Sequence, residues 1–137
     1  MNRRPLITLD RRELAAIFAG GAVGASARTG LVDLAPTHPG GWPWVTFAVN
    51  IVGCILLGYF VTRLQERLPI TAYRRPLLGT GFCGALTTFS TFQLELLRML
   101  DQGDAGLAIG YGIASLLFGF AGVAVGTAIV RRARLTW

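Results

Sequence analysis

The sequence predicts an all-α membrane protein of four transmembrane helices, and three observations lead there. The first is composition: of 137 residues, 53% are hydrophobic and only 15% charged, with a mean hydropathy of +0.54, well above that of a soluble domain of this size. The second is that four stretches, about 14 to 34, 44 to 63, 76 to 97 and 105 to 130, each reach the roughly 20 apolar residues a helix needs to cross the hydrocarbon layer. The third is that the connections between them are short. Residues 1–137 therefore read as one four-helix transmembrane domain, with no soluble part for an extramembrane active site. The first span runs on through Arg28 without a small-residue cleavage pattern, so the N-terminus is expected to stay attached.

All 13 basic residues are arginine and the formal net charge is +6. They cluster at span ends, where basic residues anchor and orient membrane proteins, and no basic patch is interleaved with stacking aromatics. Nucleic acid is not an expected partner; the lipid bilayer is. Cys54 and Cys83 fall inside spans at no metal-ligand spacing and read as small apolar fillers. His38 stands alone in a loop.

Span one, LAAIFAGGAVGASARTGLVDL, carries Ala16, Gly20 and Gly24 on one face, a small-residue seam that lets helices approach closely. The segment before it, MNRRPLITLDRREL, is polar and basic and could lie at the interface. APTHPGGWPW then breaks the helix with proline and glycine, and its Trp42 and Trp44 suit the headgroup boundary. Span two, VTFAVNIVGCILLGYFV, is apolar except for Thr46 and Asn50. A buried amide needs a partner, which could be a neighbouring helix or a permeating species.

Span three holds GFCGALTTFSTFQLELL, residues 81–97. Gly79, Gly81 and Gly84 lead into Thr87, Thr88, Ser90 and Thr91, set around Phe89 and Phe92. A glycine-rich approach to a hydroxyl run suits an interrupted membrane helix, broken near its middle, because the hydroxyls can satisfy freed backbone groups. An intact helix whose hydroxyls bond back to the preceding turn is the alternative. Span four, GLAIGYGIASLLFGFAGVAVGTAIV, is uncharged. Its Tyr111, Ser115 and Gly119 share a face at i, i+4 and i+8, which could be a polar track or a packing seam. Gly122 and Gly126 favour close packing.

No residue set resembles a catalytic constellation, so an enzyme is not expected. Of the seven acids only Glu95 comes near a span, at the end of the third. A proton-coupled exporter would be expected to carry a carboxylate deep in the membrane. The buried polar groups are instead mostly hydrogen-bond donors: the Asn50 amide and the hydroxyls of span three, Tyr111 and Ser115. Phenylalanine edges carry partial positive charge, so Phe89 and Phe92 could face an anion. Arg28 would draw anions toward a vestibule. Neutral donors can replace an anion's water and still release it, which conduction requires, so the residues themselves lead to an anion pathway without naming the anion.

Three stretches, GGAVGASAR, WPWVTFAVNIVGCILLGYF and GFCGALTTFSTF, together resemble the small fluoride channels known as the Fluc or CrcB family, and the resemblance covers essentially the whole chain. It implies a passive fluoride exporter of the cell membrane, built as an antiparallel, dual-topology dimer with two fluoride pores. It further implies one central, non-transported structural Na⁺ held by backbone carbonyls, here those of Gly84 and Thr87. Asn50, Phe89, Phe92, Tyr111 and Ser115 would line the pore, with Thr91 and Glu95 continuing it. Two positions depart from the family pattern: Ala85 replaces a glycine, and Gly119 stands where relatives can carry a third hydroxyl. The rivals are a four-helix multidrug exporter, which would need an embedded Glu where span one has only Glu13 at its edge, and an assembly subunit with no pathway.

Arginine placement bears on assembly. Arg3, Arg4, Arg11, Arg12, Arg63, Arg67, Arg74, Arg75, Arg131, Arg132 and Arg134 fall on the side of the termini, against Arg28 and Arg98 opposite. That bias is expected to set both termini of most copies in the cytoplasm and points to pairing with a related, separately encoded subunit of opposite orientation, with a homodimer as the alternative where assembly overrides the bias.

Overall fold

The computed structural model describes residues 10–34, 40–67 and 73–133, the side chains of 65–67 excepted. His38, Arg3, Arg4 and Arg134 lie outside the described residues. The elements are α1 (Arg11–Leu34), α2 (Trp44–Arg67), a π-helical segment Pro76–Cys83 that runs into the single turn α3 (Gly84–Leu86), α4 (Phe89–Asp101) and α5 (Ala105–Arg132). Helices α1, α2 and α5 are each long and apolar enough to cross a membrane. The third span is also present, but as two pieces separated by extended residues Thr87 (ψ 152°) and Thr88 (φ −141°, ψ 121°). The break expected near the middle of the third helix is therefore there. The chain is a four-span, all-helical membrane protein, and each end agrees with the sequence reading to within about one turn.

Local chemistry fixes the helix ends. The Asp10 carboxylate accepts the Arg12 amide at 2.9 Å, capping α1 with an acid where the helix dipole favours one. Asp10 also accepts the Tyr73 hydroxyl at 3.2 Å, so the start of α1 and the approach to the π-helix share one end of the bundle. At the other end, Gly103 adopts φ +84° while Asp104 N–H reaches Met99 O (2.9 Å) and Gly103 N–H reaches Leu100 O (3.0 Å). These two crossed bonds are a Schellman close, for which glycine is the favoured residue. It turns the chain from α4 into α5 within three residues. Gln102 then accepts the Gly40 amide at 3.1 Å, tying the approach to α2 onto the same turn.

Two seams hold the helices together. On α1, Ala16, Gly20 and Gly24 are buried; a Cβ on Gly20 would strike the Leu77 carbonyl, and one on Gly24 the Phe82 carbonyl. Reciprocally, a Cβ on Gly81 would come within 2.6 Å of the Ile17 carbonyl. The second seam joins α2 to α5, where Gly58 faces the Val123 carbonyl and Gly126 the Ile55 carbonyl, again with no room for a methyl. In lipid the hydrophobic effect does not drive helices together, so this backbone contact supplies the association. The outer faces carry Phe18, Leu116, Leu117 and Phe120, all exposed, as a lipid-facing surface should.

Candidate functional site

The break in the third span is built by α2. Asn50 Oδ1 accepts the Thr88 amide at 2.9 Å, and Asn50 Nδ2 donates to the Thr88 carbonyl at 3.3 Å. One side chain thus satisfies both backbone groups of an extended residue, as a neighbouring strand would. Thr88, 8% exposed, then caps α4: its Oγ1 accepts the Thr91 amide at 3.2 Å, donates to Thr91 Oγ1 at 3.0 Å and lies 3.3 Å from Ser90 Oγ. Thr87 bonds back to the Cys83 carbonyl through both its amide (3.1 Å) and its hydroxyl (3.0 Å). Of the two sequence readings of the hydroxyl run the interrupted helix is realised, and the back-bond expected of an intact helix survives at Thr87.

These bonds release particular carbonyls. In a continuous helix the Thr88 amide would bond Gly84 O and the Thr91 amide Thr87 O; here they go to Asn50 and to Thr88 Oγ1. The Gly84 and Thr87 carbonyls are thereby freed from the ladder. Between them, the Ala85 carbonyl accepts Arg28 Nε at 3.2 Å, a cation at a helix C-terminus, where the dipole favours it. Arg28 thus reaches the break.

A second polar cluster lies one turn further along α4. Glu95 Oε1 accepts the Thr46 hydroxyl at 2.6 Å and Oε2 accepts the Tyr111 hydroxyl at 2.7 Å. Tyr111 is 0% exposed and Thr46 2%. This corrects the sequence reading of Glu95 as a carboxylate at the end of the third span: α4 continues to Asp101, and Glu95 is held inside the bundle by α2 and α5. The lack of an embedded carboxylate no longer argues against an exporter. The sequence reading named the Thr46 and Thr88 hydroxyls but not their roles, the bond of Thr46 to Glu95 and the capping of α4 by Thr88, although Thr46 lies one helical turn before Asn50.

The rings connect the two clusters. Phe89 and Phe92 have centroids 6.0 Å apart, Phe92 and Tyr111 5.2 Å. Phe89 is 70% exposed, so the row starts at the subunit surface and runs inward. Ser115, one turn beyond Tyr111, has a buried Oγ without a hydrogen-bond partner. Position 119 faces Cys54: a Cβ there would lie 3.7 Å from its sulfur, ordinary contact distance. The other departure, Ala85, sets its methyl beside Gly21 of α1, 4.0 Å from where a Cβ on that glycine would stand. Cys54 and Cys83 are free thiols.

The family described as CrcB-like protein, Camphor Resistance (CrcB), matches residues 15–127. The chain belongs to this family. Among CrcB-like relatives, the protein named fluoride-specific ion channel FluC 1 of Mycolicibacterium paratuberculosis is 60% identical over 126 residues, 92% of this chain and 96% of its own. Its namesake in Mycobacterium bovis is 57% identical over the same shares. A more distant relative, fluoride-specific ion channel FluC of Chloroflexus aurantiacus, is 38% identical over 117 residues, 85% of this chain and 93% of its own. The CrcB-like match takes in both halves of the broken span and every residue of the two polar clusters.

Proposed function

We propose that this chain is a multi-pass subunit of a fluoride channel in the cell membrane, which lets fluoride leave the cytoplasm passively. The observation that carries the reading is similarity over nearly the full length to relatives named fluoride-specific ion channels, not to multidrug exporters. With the interior negative, an anion is expelled by about 2.3 kcal/mol per charge per 100 mV, so no other energy source is needed.

In this reading fluoride loses its water among neutral donors. Phe89 and Phe92 offer ring edges, while Thr91, whose hydroxyl oxygen already accepts from Thr88, keeps its own proton to donate. Asn50 keeps a second amide hydrogen beyond the one on Thr88. The Thr46 and Tyr111 protons lie on Glu95, and each can serve only one acceptor. An arriving anion therefore competes with the carboxylate for them, and a Glu95 side chain that yields opens the way to Ser115. Arg28 contributes positive potential at the break.

The Gly84 and Thr87 carbonyls fit a structural, non-transported Na⁺: freed backbone oxygens at the break of a membrane helix are the donors such an ion takes. Gly84 is exposed, and a Cβ on it would meet nothing within 4 Å. Open space there, the exposed ring of Phe89 and the exposed Ser90 and Gln93 form a face that a second, antiparallel subunit would cover, completing the cation site and the pore. Arginine bias favours a related, separately encoded partner. Labelling of an added C-terminal cysteine in intact cells expressing this chain alone tests the orientation: protection of nearly all molecules is expected, whereas about half labelled would restore a homodimer.

Purified protein in liposomes should release fluoride and retain chloride. Phe92→Ile keeps bulk but removes the positive ring edge and should cut the flux sharply. Replacing Na⁺ by a larger cation should silence the wild type. Chloride release matching fluoride release would overturn the channel reading, and full flux without Na⁺ would overturn the cation site alone.

A further inference from the structure

Among the described residues, two buried side-chain polar atoms lack a hydrogen-bond partner: Ser115 Oγ and Trp42 Nε1. Both adjoin Tyr111. Ser115 lies one turn along α5, and the Trp42 indole meets the Tyr111 ring edge-on, with centroids 5.3 Å apart at 82°. Ser115 stands within reach of the Tyr111 hydroxyl, which leaves the Trp42 indole as the unused donor beside the level where Thr46, Glu95 and Tyr111 meet.

Trp42 and Trp44 are close in sequence and opposite in setting. Trp44 is 69% exposed, as a headgroup anchor should be. Trp42 turns inward: its ring also stands edge-on to Phe47 at 5.5 Å and packs on the cluster of Met99, Ala108 and Tyr111. An interfacial tryptophan normally keeps its N–H in contact with water or headgroups. A buried N–H with no acceptor is a standing cost that folded proteins rarely carry without a reason.

We propose that the Trp42 indole N–H is an anion contact of the conduction path, the donor that receives fluoride between the Tyr111 level and the end of the bundle closed by Gly40 and Gln102. Its chemistry fits that place. An indole N–H donates only, so it offers nothing to a cation, and being neutral it binds without trapping. The ring row Phe89, Phe92, Tyr111 continues directly onto it, and the approach to α2 that carries it is fixed to the Gly103 turn by the Gly40 to Gln102 bond. The inference rests on the fluoride reading above.

The test uses ¹⁵N-tryptophan in the full chain, whose three indoles belong to Trp42, Trp44 and Trp137, each assigned by its own phenylalanine variant. Should Trp42→Phe not fold, Trp44→Phe and Trp137→Phe assign its signal by elimination. Titration with fluoride should shift the Trp42 indole resonance and leave that of Trp44 in place, and equal chloride should move neither. Trp42→Phe, which keeps the ring contacts and removes the donor, should lower fluoride efflux about tenfold. A Trp42 resonance unmoved at fluoride concentrations that saturate wild-type flux overturns the proposal, as does wild-type flux from folded Trp42→Phe. Absence of fluoride efflux from the wild type would instead count against the channel reading itself.

Discussion

The two halves of the third span meet the same problem, backbone at membrane depth, in opposite ways. Residues 76–86 remain helical and press their backbone onto α1, using Gly20, Gly24 and Gly81 as contact points. Residues 87–88 leave the helix and have their polar groups met by Asn50. Gly81 of this span therefore serves packing, and the break belongs to an amide on another helix. That division separates stability from function: the glycine seam is damaged by forcing helices apart, the break by unpairing or reshaping a few polar atoms.

A graded set of substitutions sharpens the contrast. Gly24→Val should have the largest effect, since its side chain must displace the Phe82 carbonyl; overpacking of this kind costs about 3 kcal/mol or more. Loss of folded, monodisperse subunit by size-exclusion chromatography is the expected readout, and a normal elution profile would show that the seam yields. Gly84→Val should come next and look different. With open space around position 84 the subunit should fold, while Na⁺-dependent flux falls, because only a second subunit or a bound cation meets the new side chain. Thr87→Ser should be the mildest, because serine keeps both the back-bond to Cys83 and the carbonyl; flux within about twofold of wild type is expected, the loss of one methyl against Gly53 being under about 1 kcal/mol. Reversal of the last two in the flux assay would remove the carbonyls of residues 84 and 87 from the account.

Much of this was legible in the chain. Apolar runs act through local rules, so the four spans agree with the observed helices to within about one turn. The position of the break was legible because a glycine-rich approach leads into a run of hydroxyls. Its cause was not: the bond from Asn50 to Thr88 joins residues 38 positions apart, and nothing in either local sequence announces the pairing. Glu95 shows the same limit. Its hydropathy window suggested a span end near residue 97, but partners on α2 and α5 neutralise the burial cost and let α4 run on to Asp101. Trp42 and Trp44 looked equivalent as boundary aromatics, and only packing against Tyr111 sets them apart.

If the channel reading holds, the amide of Asn50 makes the break and the break shapes the ion path. Fluoride efflux from liposomes holding matched amounts of monodisperse wild type, Asn50→Asp and Asn50→Leu tests this claim most directly. Leucine keeps the branching of asparagine at Cγ and leaves the Thr88 amide and carbonyl both unpaired, at about 1–3 kcal/mol each; aspartate still accepts the amide but cannot donate to the carbonyl. Flux should fall at least about a hundredfold in Asn50→Leu, with Asn50→Asp between it and wild type. Flux near the wild-type rate from Asn50→Leu would contradict the account.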